Sequence, residues 1–188
     1  MTTSAAPRRL AWTLCGLAVA LALTHTWLFL GWSAAREGPT GWPILTFGLL
    51  LWAVLGAVIV TRRPSHRVAW LFIAGAVLAE LGNTLACFDA IATAGEHPDP
   101  PAIWAPAVWL EIFLDVPEPL MFLILLFLLF PDGQLPSGRW RPRLWASWTS
   151  FGLFVLLLAV AVPPWRIEPA NRDELLTGAV VPLSLIHI

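Results

Sequence analysis

The stretch RRPSHRVAWLFIAGAVLAELGNTLACF, Arg62 to Phe88, decides the fold. After two arginines and a proline it runs from Val68 to Phe88 with Glu80 as its one charged residue. A helix needs about 20 mostly apolar residues to cross roughly 30 Å of hydrocarbon, and this run supplies them. Pro64 lacks a backbone donor and clashes with the preceding turn, so Arg62 to Arg67 reads as a tight turn between two helices.

Four more runs of the same kind lie on either side: Leu10 to Leu30, Pro43 to Val60, Glu111 to Phe130 and Leu144 to Val162. Apolar residues make up 58% of the chain and charged residues 12%, against about 45–50% and about 25% in ordinary soluble domains. A water-soluble fold of 188 residues could not hide so much apolar surface. The expected fold class is all-α, an integral membrane helical bundle with five transmembrane helices. Arg8 and Arg9 before the first run also suit a secretory signal, but the run is long for one and Leu14 precedes Cys15, which favours an uncleaved helix. Cys15 and Cys87 lie in or at the end of apolar runs without metal-site spacing, and read as packing residues.

Arginine placement orients the chain, because short cytoplasmic loops retain positive charge. Arg8, Arg9, Arg62, Arg63, Arg67, Arg139, Arg141 and Arg143 fall on one side; Arg36, Arg166 and Arg172 fall on the other. The N-terminus is therefore expected in the cytoplasm, with the lipid bilayer as the chain's surroundings. Tryptophans mark the same boundaries, since indole favours the headgroup level. Trp12, Trp70, Trp140 and Trp145 read as the inner belt, Trp32, Trp42, Trp104, Trp109 and Trp165 as the outer one, and Trp27 and Trp52 as packing residues. The expected organisation is a cytoplasmic tail over 1–9, five helices over 10–162 and an extracytoplasmic loop over 163–182. The last six residues, LSLIHI from Leu183 to Ile188, resemble a translated transposase mosaic-end adapter from sequencing libraries, on which reading the natural protein continues beyond Pro182.

Two loops carry a family resemblance. RRPSHRVAWLF, Arg62 to Phe72, and LLFPDGQLPSGRWRP, Leu128 to Pro142, resemble the loops of N-terminal multi-pass membrane sensor regions in actinobacterial two-component sensor histidine kinases. The second string is the more specific, with Gln134 where Arg is common; the first departs at His66, Arg67 and Ala69. The likeness covers roughly residues 40 to 165. It implies a bacterial plasma-membrane signal-transduction module, a homodimer, and a parent protein whose kinase domain would use ATP and magnesium and phosphorylate a response regulator. It also implies a sixth helix beyond this fragment, since five crossings leave the C-terminal end outside. Without the resemblance, both loops read simply as turns that join helices: Pro131, Asp132 and Gly133 form a turn signal, and Arg139, Arg141 and Arg143 suit anionic headgroups.

Ionisable residues inside the membrane carry a cost of about 2.5–3.5 kcal/mol each at a helix centre. The uninterrupted apolar run from Leu120 to Phe130 spans only about 16 Å, so the fourth helix must take in Glu111, Asp115 and Glu118, which share one face by their i, i+4, i+7 spacing. Glu80 lies about 18 Å into the third helix and Asn83 a turn further on, while His25 falls in the outer half of the first. These six, His25, Glu80, Asn83, Glu111, Asp115 and Glu118, form a candidate outward-facing polar pocket for sensing protons or a small cation, with Pro117 and Pro119 kinking the fourth helix beside it. Interhelical hydrogen bonds that only fix packing, or a fourth helix that begins late, would account for the same residues. No catalytic motif, no metal site, no cofactor and no nucleic-acid signature appears. A small multi-pass transporter or channel component is the alternative function; a membrane enzyme fits least, because no nucleophile and base are paired.

Overall fold

The computed structural model describes residues 5–31, 43–94, 103–115, 117–129, 134 and 137–167, with the side chains of 43–45, 93–94, 115, 117–121 and 166 outside that description. The described residues hold six α-helices and no strand: α1 Ala5–Gly31, α2 Pro43–Arg62, α3 Arg67–Ala94, α4 Trp104–Asp115, α5 Pro117–Leu129 and α6 Arg141–Ala161. Short 3₁₀ turns at Gly138–Trp140 and Pro164–Arg166 flank α6. Three stretches, Ala5–Gly31, Arg67–Ala92 and Gly138–Ala161, are long and apolar enough to cross a membrane; Thr46–Arg62 and Trp104–Leu114 are shorter apolar helices.

Most helices outrun the expected spans. α1 begins at Ala5 within the expected tail, because Pro7 sits in its first turn, where a missing N–H leaves no gap in the ladder. α3 passes Phe88 and takes in Asp89 and the helix-favouring alanines at 90, 92 and 94. α6 starts at Arg141 with Pro142 in its first turn, so Arg141 and Arg143 lie on the helix and not in the loop. Within the expected fourth span lie α4, which begins seven residues before Glu111 and is described to Asp115, and α5 from Pro117, with residue 116 outside the described residues.

Helices α1, α2 and α3 pack on one another, α4 and α5 pack along α3, and α6 meets α5. The α1 stripe Ala11, Cys15, Ala18, Ala22 and His25 is buried at alternating spacings of four and three. It meets Ala53, Ala57 and Val60 of α2 and Ala69, Ile73 and Ala76 of α3. Small side chains let the backbones approach, which matters where lipid is as apolar as the core. At Gly56 the approach is closest: a Cβ there would lie 2.6 Å from the Ala69 carbonyl oxygen and 2.7 Å from Ile73 Cγ1. Large side chains build the other cluster, in which Trp104, Val108, Leu158, Val162 and Ile167 are buried against Phe88 and Ala92. Trp52 stacks on Phe122 with ring centres 5.6 Å apart, joining α2 to α5 as a packing residue, whereas Trp27 is 62% exposed. Both cysteines are buried.

The Arg62–Arg67 turn closes as its proline requires. His66 N–H donates to the Arg63 carbonyl at 3.0 Å, the Trp70 indole to the Pro64 carbonyl at 2.9 Å, and the Ala69 N–H to His66 Nδ1 at 3.3 Å. His66 thereby serves an orphan donor in the first turn of α3.

Candidate functional site

His25 stands at the end of the buried α1 stripe and faces Thr46 of α2 and Glu80 of α3. His25 Nδ1 lies 3.1 Å from Thr46 Oγ1 and 3.9 Å from Glu80 Oε2. All three are enclosed, with 0%, 2% and 0% of their surface exposed. Neither Glu80 oxygen has a hydrogen-bond donor among the described residues. The 3.9 Å separation is an ion-pair distance and too long for a hydrogen bond. Either the imidazole Nδ1–H donates to the threonine hydroxyl, or that hydroxyl donates to the bare nitrogen; moving one proton exchanges these roles. A buried carboxyl without a donor is costly, so a shift of either side chain that closes the gap to His25 is favoured.

The surrounding helices are tied at this level. The Thr84 hydroxyl, one turn beyond Glu80, donates to the Glu80 carbonyl at 2.7 Å and lies 3.4 Å from the Leu21 carbonyl of α1. Of the other expected pocket residues, Asn83 is half-buried on α3. Glu111 is buried on α4 three residues before Leu114, whose Cβ would be 3.2 Å from one added at Gly82. Asp115 and Glu118 close α4 and open α5, and their side chains lie outside the described residues. The structure thus joins His25 to Glu80 and adds Thr46.

Thr46 has a signal in the sequence, being the sole hydroxyl between Pro43 and Val60. A second tie lies at the far end of α3, where the Trp104 indole donates to Asp89 Oδ1 at 2.9 Å, with both residues buried. Trp104 is therefore enclosed at the helix end and does not serve as an exposed belt residue, unlike Trp165, which is 81% exposed.

The contacts gather the eight arginines that the sequence groups on one side, Arg8 to Arg143, at one end of the bundle. The Trp12 indole donates to Thr61 Oγ1 at 3.2 Å, setting Arg8 and Arg9 beside the Arg62–Arg67 turn. Trp148 and Phe151 of α6 share a groove with Leu71 and Ala74 of α3, which brings the Arg139–Arg143 segment to the same end. There the Arg143 guanidinium sits 4.5 Å from the Trp140 ring centre. Trp32 and Trp42 lie outside the described residues.

Among the described residues no three His, Cys, Asp or Glu side chains converge to hold a metal ion. Compared with known proteins, the chain matches no family model, no curated protein and no solved structure.

Proposed function

We propose that the chain is the membrane-embedded sensory module of a two-component histidine kinase, crossing the bacterial plasma membrane five times with its N-terminus and arginine-rich end in the cytoplasm. The observation that carries a sensory reading is the His25–Thr46–Glu80 group: an acid and a base on separate helices, sealed inside the bundle where charge is most costly. One proton more or less there changes which groups attract across the α1–α2–α3 interface, and thereby the relative positions of three helices. Five crossings are supported by lengths. α2 covers about 30 Å, and α4 followed by α5 covers about 38 Å alongside α3, at 1.5 Å per residue. The kinase assignment rests on the wording of the two arginine-bearing loops, and with it come a homodimer, a response regulator and an ATP- and magnesium-dependent domain in the parent.

Alkaline phosphatase fused after Ile167 should be active, and a fluorescent protein fused there dark; the reverse pattern removes the five-crossing arrangement. In the parent gene, the kinase reading calls for a sixth apolar span followed by a phospho-accepting histidine and an ATP site. In that parent, Glu80→Gln should flatten reporter output across pH 5 to 8, and a response identical to wild type would remove the sensory role of the pair.

A further inference from the structure

Eight arginines meet where the start of α1, the turn between α2 and α3 and the start of α6 come together. Segments 1–13, 61–70 and 128–150 hold these eight and a single acid, Asp132. All eight are exposed, and among the described residues none of them pairs with a carboxylate. α6 runs parallel to α3, since Leu71 and Leu78 share a groove with Trp148 and Val155, while Ala92 packs in the cluster of Val162. One turn back from Leu71 stands Arg67, and one turn back from Trp148 stands Leu144, next to Arg143, so the two arginine sets reach the same depth. The Arg143 guanidinium lies over the Trp140 ring, a contact that supplies no oxygen to its N–H groups. Trp145, two residues further on and 66% exposed, puts this level at the headgroup layer, where indoles gather. Like charges brought to one end repel, and α6, with only Leu158 buried, has little packing to oppose that repulsion.

We propose that this end of the bundle is a binding surface for anionic phospholipid headgroups, whose phosphates bridge the Arg62–Arg67 turn and the Arg139–Arg143 segment. The inference rests on the membrane reading above, and gives a ligand to arginines that orientation alone leaves unpaired. A guanidinium fork matches a phosphate bidentately, and each arginine near an anionic leaflet favours it about fivefold. Depth selects the lipid over a soluble acidic partner, because the headgroup layer supplies phosphates at the level that Trp145 marks. A phosphate seated between the two sets offsets their repulsion, so α6 docks more closely on α3 where anionic lipid is present. The position of the most loosely packed helix then follows the composition of the leaflet it stands in.

The test uses the full chain in phosphatidylcholine vesicles with and without phosphatidylglycerol. Spin-labelled phosphatidylglycerol should associate with the protein about fivefold more strongly than spin-labelled phosphatidylcholine, the worth of one arginine. Arg139→Gln, Arg141→Gln and Arg143→Gln combined should bring the two lipids near parity, with the other arginines left to orient the chain. Nitroxides on Ser65→Cys and Ser137→Cys, both exposed positions, should lie closer together when phosphatidylglycerol is present. Inorganic phosphate added to phosphatidylcholine vesicles should not draw them together. Equal association of the two lipids with the wild type overturns the surface and leaves the membrane reading standing, and a preference kept by the triple variant overturns the arginine assignment. An unchanged nitroxide distance overturns the bridge, and a distance shortened by inorganic phosphate overturns lipid as the occupant. No immobilised lipid of either kind overturns both the surface and the membrane reading.

Discussion

Helices α1 to α3 and helix α6 are built on opposite terms. α1 buries five residues along one stripe, four of them Ala or Cys, against two neighbours with equally small side chains. α6 buries only Leu158 along 21 residues, and touches the bundle mainly through aromatic and branched groups beside an open groove. Close backbone approach leaves the first region few alternative packings, so a polar pair enclosed there can be held at a defined distance. Loose contact gives α6 freedom to shift without rebuilding a core. The pair and the loosely packed α6 contact lie on opposite sides of α3, which is suited to carry a displacement from one to the other.

Glycine substitutions break this comparison most forcibly. Gly56→Ala thrusts a methyl group against the backbone oxygen of Ala69, which cannot rotate away, so α2 and α3 must separate at a cost of about 3 kcal/mol, the upper part of the range for overpacking. Gly152→Ala in α6 meets nothing within 4 Å and should leave stability unchanged or slightly raised. Unfolding in mixed micelles with increasing SDS measures both. Equal sensitivity at the two positions would erase the contrast between the regions.

Next in size is the tie between α3 and α4. Trp104→Phe keeps the aromatic packing and removes the indole donor to buried Asp89, a loss of about 1.5 kcal/mol in the same unfolding assay, toward the upper end for a hydrogen bond between membrane helices. It should also speed hydrogen exchange along α4 while leaving α1 unaffected, since Asp89 and Trp104 lie outside the small-residue core. A drop below about 0.5 kcal/mol would mean that the second region does not depend on this bond.

How much of this was legible follows from which physical rule each feature obeys. Runs such as Val68–Phe88 declare helices by length and composition alone, and Pro64 marks where a helix must stop whatever surrounds it. Helix ends are less legible, because Asp89 is polar yet lies on α3, held by a tryptophan 15 residues on that no local pattern connects to it. His25 and Glu80 were legible as costly residues at similar depth, but depth does not say which faces meet. Thr46 joined them through the antiparallel register of α1 and α2, a tertiary fact. The groove depends on how α6 leans on α3, which apolar composition leaves unspecified when every face is apolar.

The smallest expected effect is also the sharpest measure of the packed region. Thr46→Val preserves shape and removes the hydroxyl 3.1 Å from His25 Nδ1. Hydrogen bonds between membrane helices average about 0.6 kcal/mol, because the separated helices also find partners, so the single variant should lose about that much. Other packing changes of that size would mask it, and the decisive quantity is the coupling in a double-mutant cycle with His25→Phe, expected at about 0.6 kcal/mol. Thr46→Ser, which retains the hydroxyl, should restore the coupling. A coupling indistinguishable from zero would mean that the two groups are neighbours without interacting, and that the tight region encloses Glu80 by packing alone.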